Sequence, residues 1–358
     1  MNEKIKKEIR HKVTAIGSMP HRETEAALKL ISQNIRHIPH WPQLPFRSSK
    51  EGFTNQYLNP MLNEELLTFK EGKVFFNDSE AGWESKLMRY YEKVLQVQEN
   101  SSGYDTFAFP EEAAAGFYSF LKKEAIGPEC LVVKGQVSGP LSIGLQITDS
   151  KGNPSFYNQQ LREITVKTLA LNARWQIKKL EQLGYPVMIF VDDPGIYSYG
   201  TSSYVGLSRQ DVQDSLEDIA LSVKEEGGLS GMHSCAGVDW SIPLELSLDV
   251  INFDAYDYYT SMLVYLEQLK NFLNNGGMVA WGIVPTSESI EEEDSASLLK
   301  LLQERVEDMA AKGVPEQQLK EQMIVSPSCG AGTMSVEQAE KVYRELGGMA
   351  EELERLFG

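Results

Sequence analysis

Short apolar runs of strand length recur along the chain, and most precede a stretch whose apolar residues return at three- and four-residue spacing. The strand-like runs cover residues 12–17, 38–43, 131–137, 187–192, 229–235, 250–254, 278–283 and 323–328. The helical spacing covers residues 162–183, 209–226, 260–274, 295–312 and 336–356. A buried strand followed by a surface helix, repeated, marks parallel βαβ units. Eight such runs predict an α/β fold of the (β/α)8 TIM barrel type.

One connection is too long for a simple strand-to-helix link. Residues 44–130 separate the second run from the third and must carry structure of their own. Residues 67–77 predict a hairpin around Lys70-Glu71-Gly72-Lys73, and residues 84–99 an amphipathic helix. We expect this insertion after the second strand to lie over the barrel mouth. With no internal repeat or low-complexity linker, residues 1–358 read as one barrel domain.

Composition narrows the function classes. A chain of 358 residues, 42% hydrophobic, can bury a large core. Lys and Arg number 34 against 51 Asp and Glu, a formal charge of -17 that repels phosphate backbones and anionic membranes. Neither nucleic acid nor a membrane is expected as a partner. The charged N-terminus has no apolar core behind it, and no run approaches the ~20 apolar residues of a membrane span. A cytoplasmic protein is expected.

Three cysteines are too few for a disulfide framework. Cys130, at the start of an apolar run, reads as a buried structural thiol. Cys235 belongs to His233-Ser234-Cys235 at the end of the fifth run. On a strand, positions i and i+2 point the same way, so imidazole and thiolate can converge. Cys329 lies just past the eighth run and Asp254 ends the sixth; barrel enzymes place catalytic groups at these ends. A His, two Cys and a carboxylate form a tetrahedral N/S/O set suited to Zn²⁺, which would lower the pKa of an arriving thiol. The same residues also read as unrelated members of a core, a reading that their register with strand ends weighs against.

Asp192 and Asp193 end the fourth run before Pro194, and alternation sends one inward and one outward. The inward carboxylate could bind an amino group or move a proton; the alternative is a helix cap or loop ion pair. Gly17-Ser18 at the end of the first run offers backbone donors and a hydroxyl.

These motifs, in this order along nearly the whole chain, resemble the C-terminal domain of cobalamin-independent methionine synthase. That family belongs to a wider group of barrels that includes uroporphyrinogen decarboxylase. The resemblance implies zinc on His233, Cys235 and Cys329, with Asp254 replacing the family's Glu as a fourth or exchangeable ligand. It implies homocysteine as the thiol, held by Ile16, Gly17 and Ser18 and by Asp192 at its ammonium. Departures stand at Gln146, where the family's folate-stacking Trp is expected, and at Ile283, where its His is expected. They direct the expectation to a methylated corrinoid, on a corrinoid protein partner, as donor in preference to methyltetrahydrofolate. A metal-free decarboxylase of the uroporphyrinogen type would want several Arg residues at the mouth, and only Arg47 is near in sequence. A non-catalytic thiol-binding or zinc-storage protein is the other alternative.

Overall fold

The computed structural model describes residues 2–70, 73–100, 103–123 and 125–357. Strands β1 (Leu67–Lys70) and β2 (Lys73–Phe76) form the expected antiparallel hairpin, pairing Leu67 with Phe76. Its turn residues, Glu71 and Gly72, lie outside the described residues. Strands β3 (Val133–Ser138), β4 (Val187–Asp192), β5 (Leu229–Ser234), β6 (Val250–Asp254), β7 (Met278–Val284) and β8 (Met323–Pro327) form one parallel sheet in sequence order. Runs three to eight are therefore strands within a residue or two of their expected bounds, and all six are buried along their length.

The first two runs differ from expectation. They are not regular strands and make only isolated parallel bridges. Gly17 at φ 146° turns the first run, and Pro39 and Pro42 remove two N–H donors from the second. The remaining donors still link the two edges of the sheet. Thr14 N donates to the Val325 carbonyl of β8 at 2.9 Å, Gln43 N to the Gly17 carbonyl at 3.0 Å, and Lys134 N of β3 to the Pro39 carbonyl at 2.8 Å.

Alternation divides the sheet into two faces. Met188, Phe190, Leu229, Val250, Met278, Ala280 and Ile324 form a small inner core, with Ile5 and Ile9 from the N-terminal segment packed on it. The intervening residues, among them Ile189, Met232, Phe253, Trp281 and Val325, belong to the larger core shared with the helices. The helix Gln159–Leu180 begins on Asn158, whose side chain accepts from Gln160 N and Leu161 N. The helix Val336–Phe357 buries Ala339, Val342, Leu346, Met349 and Leu353, a spacing that keeps one stripe on the core.

The segment between the second run and β3 divides its contacts. Its helix, Trp83–Asn100, packs on Gln159–Leu180, with Tyr90 Oη donating to the Ile164 carbonyl at 2.9 Å. Phe53 belongs instead to the strand ends, where Ser138 Oγ donates to its carbonyl at 2.5 Å. No helix among the described residues is long and apolar enough to cross a membrane.

A candidate metal centre at the strand ends

Moving along the strands toward their C-terminal ends, the inner face changes from apolar to polar. Ser138, Asp192, His233 and Asn252 stand opposite one another in one line of paired residues across β3 to β6. One atom of His233, one of Cys235 and one of Cys329 all lie within 4.8 Å of each other. These three residues line a cavity of about 300 Å³ together with Ile16, Ser18, Asp192 and Phe53.

The local chemistry of the three is that of a ligand set. His233 is buried; its Nδ1 is hydrogen-bonded to Asn252 Oδ1, while its buried Nε2 has no partner. Burial opposes charge on this imidazole, but the bond to Cys235 and that thiolate's charge raise its pKa overall. A hydrogen bond from Cys329, with help from His233, holds the Cys235 thiol down to about 4 against the cost of burial. The same contact pushes Cys329 up. The pair is one thiolate accepting from one thiol. An orphaned imidazole nitrogen facing two sulfurs, with open space beside them, fits a soft tetrahedral cation with one position left for substrate.

Asp254 is placed differently from the other three. It is buried at the end of β6, but Oδ1 accepts from Tyr256 N at 3.0 Å and Asp257 N at 2.8 Å, and the residue is outside the compact group. Burial pushes its pKa up to about 6. The carboxylate is occupied with its own loop.

The two adjacent aspartates divide the roles that the sequence left open. Asp193 is the cap: it accepts from Leu141 N, Ser142 N, Ser142 Oγ and Gly195 N at 2.6 to 3.1 Å, fixing the start of the helix Pro140–Gln146. Asp192 lines the cavity, and its buried Oδ1 has no partner. Burial pushes its pKa up to about 6, against the pull of the Lys134 ammonium.

Lys134, Asn252 and Gln136 were not singled out in the sequence. Lys134 is fully buried; Nζ donates to the Ile16 carbonyl at 2.6 Å and lies 4.7 Å from the Phe190 ring centre. Burial brings its pKa down to about 8, with Asp192 opposing. The available signal was a lone lysine at an inward position of the run Leu131 to Val137. Gln136 explains Gly17, since a Cβ on Gly17 would come within 2.6 Å of the Gln136 amide. Ser18 packs against the loop after β8, where a Cβ on Gly330 would lie 2.1 Å from the Ser18 hydroxyl.

Other expectations resolve at the rim. Arg47 Nη1 is bonded to the buried Glu51 at 2.6 Å, so the one nearby arginine is committed to a carboxylate of the protein. Gln146 accepts from Thr54 Oγ1 at 2.5 Å. Ile283 is fully buried and belongs with Trp281 to the outer core, so neither side chain is available to stack a donor at the mouth. Cys130 is buried with its thiol pushed up to about 12, an unreactive form.

The profile of the cobalamin-independent synthase catalytic domain matches residues 129–352, from just before β3 into the last helix. The chain belongs to this family, whose chemistry is methyl transfer of the methionine synthase type. A family described as cobalamin-independent gives no support to the expected corrinoid partner, and that expectation is withdrawn. Comparison with curated proteins gave no match. Among solved structures, the chain is similar to the tandem catalytic modules of the pneumococcal exo-β-D-N-acetylglucosaminidase StrH at 11% identity and TM-score 0.44, covering 98% of this chain and 86% of that one. A second StrH structure gives 10% identity and TM-score 0.42, covering 98% and 85%. Likeness at that level carries no argument about activity.

Proposed function

We propose that this protein is a zinc-dependent S-methyltransferase that methylates the thiol of homocysteine to give methionine. The observation that carries the reading is the juxtaposition, in one cavity, of the His233, Cys235 and Cys329 donor atoms with the unpartnered oxygen of Asp192. Zinc held by His233 Nε2 and the two sulfurs would let a substrate thiol lose its proton near neutral pH.

The protein's own groups supply the positioning. Asp192, ionised beside Lys134, takes the substrate ammonium; Ser18 and the Gly17 backbone take its carboxylate; and Ile16 lines the wall. Phe53 covers the cavity and limits water. Asp254 serves as an exchangeable ligand only if it releases the N–H groups of Tyr256 and Asp257. In-line transfer to a thiolate needs alignment more than proton transfer, which agrees with a site that has few free acids and bases.

We further propose that the two bridged segments complete a single (β/α)8 barrel across residues 1–358, with residues 44–130 as an insertion partly over its mouth. Edge-to-edge hydrogen bonding through Thr14, Gln43 and Lys134 supports the closure, and Phe53 in the cavity wall supports the placement.

The test is metal analysis of purified protein, followed by methionine formation from homocysteine with methyltetrahydrofolate or methylcobalamin as alternative donors. One zinc per chain and turnover that fails on chelation are expected. Full turnover in metal-free protein would overturn the reading.

A further inference from the structure

Asn252 is fully buried on β6, between the strand that carries His233 and those that lead to Cys329. Its side-chain nitrogen donates to the Ala280 carbonyl on β7 at 2.8 Å and to Ser326 Oγ on β8 at 2.6 Å. Ser326 Oγ in turn donates to the Pro327 carbonyl at 2.9 Å. The Ala280 carbonyl can only accept, and the Ser326 proton is committed, so the amide cannot be flipped without facing acceptor to acceptor. The Asn252 oxygen must therefore point at His233 Nδ1, and only a proton on that nitrogen makes a hydrogen bond there. The lone pair is left on Nε2, the buried atom without a partner.

We propose that Asn252 is a positioning residue for the metal centre. Its oxygen keeps the His233 proton on Nδ1 so that Nε2 faces the two sulfurs, and its amide ties that imidazole to the strand that ends at Cys329. The inference rests on the reading of the three residues as a metal site and adds how the site is set. A hydrogen bond from the far nitrogen of a ligating histidine fixes both tautomer and ring orientation. Here the chain of bonds runs His233, Asn252, Ser326, Pro327, ending two residues before Cys329, so one side chain governs both the nitrogen presented and the spacing between ligands on distant strands.

The test begins without metal. Nitrogen-labelled histidine NMR of the wild-type protein, above the titration range of His233, is expected to place the proton on Nδ1. A proton on Nε2 overturns the proposal. Asn252→Leu keeps the size and removes the acceptor; its His233 is expected to populate both tautomers, and its zinc affinity by chelator competition to fall about 10- to 100-fold. A folded Asn252→Leu protein that holds zinc as tightly as wild type overturns the proposal. Should that variant fail to fold, Ser326→Ala leaves the acceptor and removes the tie to β8: the Nδ1 proton is expected to remain while zinc affinity falls several-fold, and unchanged affinity counts against the tie. If wild-type protein takes no zinc through Cys235 and Cys329, the reading of the site fails instead, an outcome the metal-free tautomer distinguishes from failure at Asn252.

Discussion

Asp192 and Asp193 are neighbours in sequence with opposite fates: Asp193 collects four hydrogen bonds from the segments that follow β3 and β4, whereas Asp192 keeps a buried oxygen with no partner. A saturated carboxylate holds the fold together. An unsaturated one, in a cavity, is held ready for a ligand.

The first expectation follows from that contrast. Asp193→Ala should lower stability by about 3 kcal/mol, since it orphans buried N–H groups at a helix start. Asp192→Asn should leave stability nearly unchanged while weakening amino-thiol binding by ~1.5 to 3 kcal/mol. Denaturant unfolding and calorimetric titration separate the two; equal loss of affinity for a thiol without an amino group would remove Asp192 from ammonium recognition.

Cys329→Ala should release the metal while preserving the fold, because the sulfur sits in a cavity wall and not in the apolar core. Zinc content and circular dichroism on the same sample check this. Retention of one equivalent of zinc in the variant would exclude Cys329 as a ligand.

Lys134→Met should shift the acidic limb of substrate binding to higher pH. Burial already holds Asp192 at about 6, and the Lys134 ammonium is the largest influence opposing that rise. Removing the cation favours the neutral acid, so the carboxylate form is lost at a higher pH than in wild type. A pH profile of affinity that does not move would show that the ammonium does not act on Asp192.

His40 sets an acid limit on stability. It is fully buried, with Nδ1 on the Trp41 carbonyl at 3.0 Å and Nε2 on Tyr343 Oη at 2.8 Å; burial, then the Lys134 charge, brings its pKa down to about 3. The unfolded chain binds this proton near the ordinary histidine value, and the folded chain does not. The stabilisation is therefore complete above about pH 6.5 and is lost as pH falls toward 3, by up to about 1.4 kcal/mol per unit. Unfolding free energy measured against pH should have a shallower slope in His40→Gln across that window; an unchanged slope would assign the effect elsewhere.

Much of the architecture was legible because its signals are local. Six of the eight runs became regular strands, since four to seven consecutive buried residues bounded by turns have few other solutions. The two that did not carried their own warning in Pro39, Pro42 and Gly17, residues that cost hydrogen bonds or bend the chain but leave enough donors for a bridge. His233 and Cys235 were legible for the same reason: two-residue alternation puts them on one side whatever the rest of the fold does.

By itself, then, the sequence determined the order of strands and helices, the inward residues of each strand, and the types of donor atom that gather at the strand ends. The tertiary structure decided which of those donors meet. Asp254 ends a strand as expected but turns to Tyr256 and Asp257, while Asn252, two residues earlier and unremarkable in sequence, takes the bond to His233. Lys134 likewise reaches Ile16 across 118 positions of sequence. Such pairings depend on which strands are neighbours and how far each is slid past the next, and that offset is set by packing of the whole sheet, which no local pattern encodes.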